Sequence, residues 1–279
     1  MTDDGLKMAI IIFTDLDGTL LNQDDYRCDA ALPVLKELQA KQIPVIPVTS
    51  KTRQEVETLR QELNLGDPFI VENGSAVFVP LDSKQFVLSA KIEREGYQLE
   101  LLGCTYAEAR QGLAAVAKML GERLRGFGDL SEQEIGQLTG LSEQEVKRAK
   151  AREFTEPFLT PDRVSQQQLQ QAVEAQGFQV VVGDRFSHLI GSGAGKGKAV
   201  RWLVRHYRFP KAEEKLITVG LGNSPNDLAM LEAVDVPIVV PSAKAPHPGL
   251  MGRGWQVAPA PGCQGWATAV VSVCDRLLA

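Results

Sequence analysis

Two aspartates, Asp15 and Asp17, close the apolar run Met8-Ala-Ile-Ile-Ile12 within the segment Phe13-Thr-Asp15-Leu-Asp17-Gly-Thr-Leu20. A carboxylate pair can hold a hard cation while one member attacks as a nucleophile and the other moves a proton. Side chains at alternate positions of a strand share a face, but a turn is needed to bring both acids and their backbone into one cup, and Gly18 permits it. The acids then stand at the C-terminal end of a buried strand, where open α/β sheets place their chemistry.

Three later segments could complete such a site. Thr49-Ser-Lys51-Thr-Arg53 offers hydroxyls and backbone N–H groups at the start of a helix, a ready place for an anion. Lys196, in Gly195-Lys-Gly-Lys198, can neutralise carboxylate and phosphate charge together. A phosphate-binding P-loop does not fit, because Ile190 stands where its first glycine would be and Gly197 where its Ser or Thr would be. Gly220-Leu-Gly-Asn223-Ser-Pro-Asn226-Asp227 carries oxygen ligands that could complete an octahedral Mg²⁺ site with Asp15 and Asp17.

These segments need a scaffold that brings strand ends together. The spacing predicts a strand over 8–14, a helix over 29–41, a strand over 43–48 despite its two prolines, a helix over 52–63 and a strand over 69–71. This βαβαβ order predicts a doubly wound, Rossmann-like parallel sheet, fold class α/β. From about residue 76 the pattern changes to α+β. A hairpin of 77–79 with 85–88, a helix over 106–120, two capped helices opening at Ser131 and Ser142, a strand near 154–158, a helix over 165–176 and an antiparallel pair of 178–182 with 186–190 are expected. Helix 198–207, strand 216–220, helix 226–233, strand 237–240 and helix 265–278 return to α/β order. Residues 1–81 and 191–279 are therefore expected to form the core, and 82–190 an inserted α+β cap set over its active edge.

The 279 residues are 44% hydrophobic and 23% charged, as in a soluble globular protein. A net charge of -5 argues against a nucleic-acid partner. The four cysteines are scattered without C-x-x-C spacing, which speaks for reduced structural thiols in a cytoplasmic protein. The acidic start and the short apolar run predict neither a signal peptide nor a membrane span.

Together, Asp15-Leu-Asp17-Gly-Thr19, Thr49, Lys196 and Gly222-Asn-Ser-Pro-Asn226-Asp227 resemble, in order, the four motifs of the haloacid dehalogenase (HAD) superfamily, in its branch with large α/β caps inserted between motifs two and three. Within that branch, Val48-Thr-Ser-Lys-Thr-Arg53, Ile70-Val-Glu-Asn-Gly74, Arg152-Glu-Phe-Thr-Glu-Pro-Phe158 and Gly183-Asp-Arg-Phe-Ser-His-Leu-Ile-Gly191 are similar to the mannosyl-3-phosphoglycerate phosphatases.

The resemblance implies a Mg²⁺-dependent phosphatase of a small sugar phosphate, working through an aspartyl-phosphate. Asp15 would be the nucleophile and Asp17 the general acid and then base, while Thr49 and Lys196 would hold the phosphoryl oxygens. Asp15, Asp17 through its carbonyl, Asn223 and Asp227 would serve the metal. Lys51, Asn73, Arg152, Glu153, Asp184, Arg185, His188 and Asn226 would bind substrate, with Arg152 or Arg185 suited to a carboxylate. Motif four departs from its family pattern, since Asn223 stands where an aspartate is usual, and an amide ligand brings no charge to the ion. Mannosyl-3-phosphoglycerate is the first expected substrate. The glucosyl compound, sucrose phosphate, a general sugar phosphate, a phosphomannomutase-like reaction and a non-catalytic sugar-phosphate sensor are the alternatives.

Overall fold

The computed structural model describes residues 8–88, 92–183, 185–208 and 215–279. Strand β1 (Met8–Thr14) lies between β10 (Lys215–Gly222) and β2 (Val45–Pro47), with β11 (Val236–Val239) and β12 (Gln256–Val257) beyond β10. All of these pairings are parallel. The unbroken apolar run of β1 follows from burial on both faces. Ile10 and Ile12 pack on one side with Leu35 and Leu38 of α1 (Leu32–Ala40) and Trp266 and Val270 of α9 (Gly262–Leu278). Ile11 and Phe13 pack on the other with Ala199, Val200 and Leu203 of α7 (Lys196–Arg205). The alternating pleat thus serves two helical layers, the doubly wound arrangement expected.

Helix α2 (Arg53–Leu63) opens with a reciprocal capping box between Thr52 and Glu55, so the loop after β2 passes into the helix at a defined residue. Strand β3 (Phe69–Val71) meets the parallel sheet at one bridge, Val48 to Ile70, and pairs antiparallel with β4 (Ala76–Pro80). The expected hairpin of 77–79 with 85–88 does not form. The partner of β4 on its other side is β6 (Tyr97–Leu101), which also pairs with β5 (Glu93–Arg94). Phe86 instead bridges to Tyr207 and packs its ring against it, 5.4 Å between centroids. A short apolar run meets its need for burial equally well as a strand or as packed loop, and periodicity does not separate the two. β5 and β6 fall within 82–190, yet they extend the sheet that starts at β3.

The rest of the insertion has its own layers. Helices α3 (Tyr106–Leu120) and α6 (Gln166–Ala175) pack on a sheet of β7 (Glu156–Leu159), β9 (Phe186–Gly191) and β8 (Phe178–Val181), in that order. The paired helices α4 (Glu132–Thr139) and α5 (Glu143–Lys150) carry the capping boxes expected at Ser131 and Ser142. Their apolar faces meet Phe127 and Phe186. The remaining helix, α8 (Leu228–Leu231), follows a 3₁₀ turn at Pro225–Asp227. Among the described residues no helix is long and apolar enough to cross a membrane.

Asp67, in the turn before β3, accepts from the Val45 N–H at 2.9 Å. Burial pushes its carboxyl up from an ordinary 3.8 to about 6, against that hydrogen bond and the charge of Arg60. The folded state therefore holds this proton more tightly than the unfolded chain. The contribution to stability is full below the ordinary value and is lost as pH rises through about 6. Asp67→Asn is expected to remove this dependence, gaining roughly 2 kcal/mol on the parent between about pH 4 and about pH 7. Urea unfolding of both proteins at the two pH values measures it; a difference that does not change with pH contradicts the assignment.

Candidate active site

Parallel strands leave their C-terminal ends on one edge, and the motif residues gather there. The Asp15 N–H donates to the Leu221 carbonyl at 2.9 Å, which sets the turn after β1 beside the end of β10. Gly18 has φ +74, and a Cβ there would lie 2.3 Å from the Asn223 amide nitrogen. The first turn and the loop after β10 therefore close on each other. Trp266 Nε1 donates to Thr14 Oγ1 at 3.0 Å, and Thr14 Oγ1 donates to the Asp15 carbonyl at 2.7 Å, so the backbone of the nucleophile candidate is tied to α9.

Lys196 joins the two halves of the chain. It is the first residue of α7, two positions earlier than the expected helix start, and it is 3% exposed. Its Nζ donates to Asp15 Oδ1 at 2.7 Å and to Asp227 Oδ1 at 2.6 Å. Burial works against the ammonium charge, but Asp15 and Asp227 more than offset it and hold the group well above its usual range. Burial, and after it Asp227, pushes the Asp15 carboxyl up, against the pull of Lys196. Negative charge is thus in excess at this point, and the chain carries hard oxygens close by in sequence: the Asp15 carboxylate itself and, in the loops that follow β1 and β10, the Asp17 carbonyl and the Asn223 amide. That donor set fits a small divalent cation such as Mg²⁺. Asp227 differs from its expected part. Its Oδ1 faces Lys196, and its Oδ2 accepts from the backbone N–H groups of Asn223 and Ser224 at 3.0 and 3.1 Å. It organises the loop and offers no free oxygen to an ion. Among the described residues, no group of three or more His, Cys, Asp or Glu side chains is arranged to hold a metal, so carbonyl and amide oxygens must share in any such site.

Thr49 is 1% exposed, and its Oγ1 accepts from the Lys51 N–H at 3.1 Å, which shapes the loop after β2. Lys51 reaches Asp17 Oδ1 at 3.0 Å and lies 5.4 Å from the centre of the Tyr26 ring. Burial lowers its tendency to hold a proton, yet Asp17 and Glu55 raise it further, leaving Lys51 above its ordinary value. The Asn73 N–H donates to the Thr49 carbonyl at 2.9 Å, while both polar side-chain atoms of Asn73 are buried and unpaired. The insertion adds His188 and Arg152. Burial first, then the charges of Arg152 and Lys196, lowers the His188 imidazole to about 3, so it is neutral with Nδ1 unpaired. Arg152 donates to the Ser50 carbonyl at 2.7 Å.

Other candidates stand apart. Glu153 is engaged by Arg53 at 2.8 Å and Arg94 at 2.6 Å, so its charge is spent on an ion network. Arg185 is exposed next to the β8–β9 turn, and Asn226 accepts from Ser224 Oγ at 2.5 Å. Asp184 lies outside the described residues. Two contributors carried no expectation: Thr19, whose Oγ1 is 3.4 Å from Asp15 Oδ2, and Trp266. Thr19 sits within the first motif, but Trp266 offers no signal beyond an aromatic in an apolar helix.

The chain matches the haloacid dehalogenase-like hydrolase family over residues 12–246. It is 39% identical over 268 residues to a glucosyl-3-phosphoglycerate/mannosyl-3-phosphoglycerate phosphatase of Persephonella marina, covering 96% of this chain and 98% of that one. It is 32% identical to a mannosyl-3-phosphoglycerate phosphatase of Pyrococcus furiosus, covering 84% of this chain and 91% of that one. Its fold resembles that of the HAD subclass IIB sugar phosphatase BT4131, with TM-score 0.67 at 16% identity over 95% of this chain and 99% of that one.

Proposed function

The chain belongs to the haloacid dehalogenase-like hydrolases, and from that premise we propose that it is a Mg²⁺-dependent phosphatase of a glycosyl-3-phosphoglycerate, with the mannosyl compound as its first substrate. It acts as a phosphoric monoester hydrolase. The observation that carries the reading is the buried contact of Lys196 with both Asp15 and Asp227, which lie in the segments that follow the adjacent parallel strands β1 and β10.

Asp15 attacks phosphorus, and the ester bond to the glycerate oxygen breaks as the aspartyl-phosphate forms. Asp17 gives that oxygen its proton. It then takes a proton from the water that cleaves the acyl phosphate, which returns Asp15 and releases phosphate. Lys196 and Thr49 hold phosphoryl oxygens where negative charge gathers. Asp15, the Asp17 carbonyl and Asn223 would hold Mg²⁺, which would supply charge neutralisation of the transferring group. Arg152 suits the glycerate carboxylate. Neutral His188, Lys51 and Asn73 can meet the remaining polar groups of a sugar phosphate. The same proposal takes 1–81 and 191–279 as core and 82–190 as inserted cap, with β5 and β6 continuing the core sheet.

Phosphate release from mannosyl- and glucosyl-3-phosphoglycerate, measured side by side with and without Mg²⁺, tests this. Release that requires Mg²⁺ and is faster on one glycosyl compound than on sucrose phosphate is expected. No release from either compound sinks the substrate assignment. The glucosyl compound stands as second reading because the relative at 39% identity is named for both.

A further inference from the structure

Glu72 is fully buried, although it is a carboxylic acid in a loop; burial pushes its carboxyl up, against the charge of Arg152 and the hydrogen bonds it accepts. Its backbone is left-handed, φ 48, and so are those of Asn73 and Gly74, φ 60 and 81. Non-glycine residues resist that conformation, and runs of it persist where surrounding contacts impose it. Here the contacts reach across to the insertion. Glu72 Oε1 accepts from the Glu153 N–H at 2.9 Å. Its Oε2 accepts from the Phe154 N–H at 3.3 Å and from Thr155 Oγ1 at 2.7 Å. The Arg152 guanidinium lies 4.0 Å from the same oxygen. On the core side, the Glu72 N–H donates to the Lys51 carbonyl at 3.0 Å.

Residues 153–155 lead directly into β7, where Pro157 pairs with His188 of β9. A fixed entry to β7 therefore fixes where His188 stands. Arg152, just before the held segment, reaches back to the Ser50 carbonyl. We propose that Glu72 is a positioning residue that latches the insertion onto the loops after β2 and β3, so that Arg152 and His188 face Asp15 and Lys196. It would act on substrate through those two side chains. Charged acceptors in a buried network are costly to replace, because the donors left facing them lose their partners.

The use of Arg152 and His188 on substrate rests on the reading under Proposed function; the latch itself does not. Two measurements on Glu72→Gln keep them separate. Hydrogen exchange at the Glu153 and Phe154 amides is expected to speed up by about tenfold or more, since the carboxamide turns an N–H group toward donors. KM for mannosyl-3-phosphoglycerate is expected to rise by about tenfold with a smaller change in kcat, while p-nitrophenyl phosphate, which lacks glycerate and sugar, loses less kcat/KM. Thr155→Val removes one donor and leaves the acid in place, so a smaller change of the same kind is expected even if the first variant folds poorly. Unchanged amide exchange in both variants overturns the latch. Faster exchange with equal losses on the two substrates reduces Glu72 to a structural role and overturns positioning. Faster exchange in a protein that hydrolyses no glycosyl-phosphoglycerate upholds the latch and defeats the functional reading alone.

Discussion

Asp15→Asn is expected to lower phosphate release by on the order of 10⁴-fold or more, because an amide oxygen cannot displace the ester as a carboxylate does. The variant should remain folded. Asn keeps the size of the side chain and an oxygen that can accept from Lys196 Nζ, now 2.7 Å from Asp15 Oδ1. It also removes one of two buried carboxylates that compete for a single ammonium. Stability at neutral pH is therefore expected to match or exceed that of the parent, so the loss can be assigned to chemistry. Turnover within tenfold of the parent would mean that another group attacks phosphorus.

Lys196→Met is expected to cost about 3–5 kcal/mol as well as activity, the scale for breaking a buried ion pair by removing one partner. Asp15 and Asp227 are 6% and 0% exposed, and both contact the same ammonium, so its removal leaves two buried carboxylates without their shared counter-charge. The same variant carrying Asp227→Asn as well should recover part of the loss, because one unpaired charge is gone. Urea unfolding of the parent, the single and the double variant measures this cycle. A single variant within about 1 kcal/mol of the parent would show that solvent reaches these carboxylates.

Strand and helix identity was largely legible where the signal was local and repeated. The apolar run of β1 requires cover on both faces, and the Ser131 and Ser142 caps sit three residues before the glutamates that answer them. The segment 85–88 does not form the expected hairpin because Phe86 finds both its bridge and its ring contact at Tyr207, just past α7 and far along the chain from β4. Site residues followed the same division. Asp15, Asp17, Thr49, Lys51 and Asn223 stand at or near strand ends, a position that the order of elements predicts. Glu153 looked like a substrate ligand from its neighbours in the chain. Its carboxylate is taken by Arg53, 100 positions away, and by Arg94.

The sequence by itself determined the family, the α/β core and the loops that carry the motifs. These depend on periodicity, caps and short segments, which act over a few residues. Only the tertiary structure decided how charge is shared among the motif residues. Lys196 and Asp15 are 181 positions apart, yet their contact makes the ammonium a partner of both Asp15 and Asp227 and leaves Asp227 without a free oxygen. Glu72 was equally hidden, since three donors from 153–155 turn an ordinary loop glutamate into a buried link. The physical reason is the same in both cases. A carboxylate's role is set by which donors and charges surround it once water is removed, and distant parts of the chain supply them.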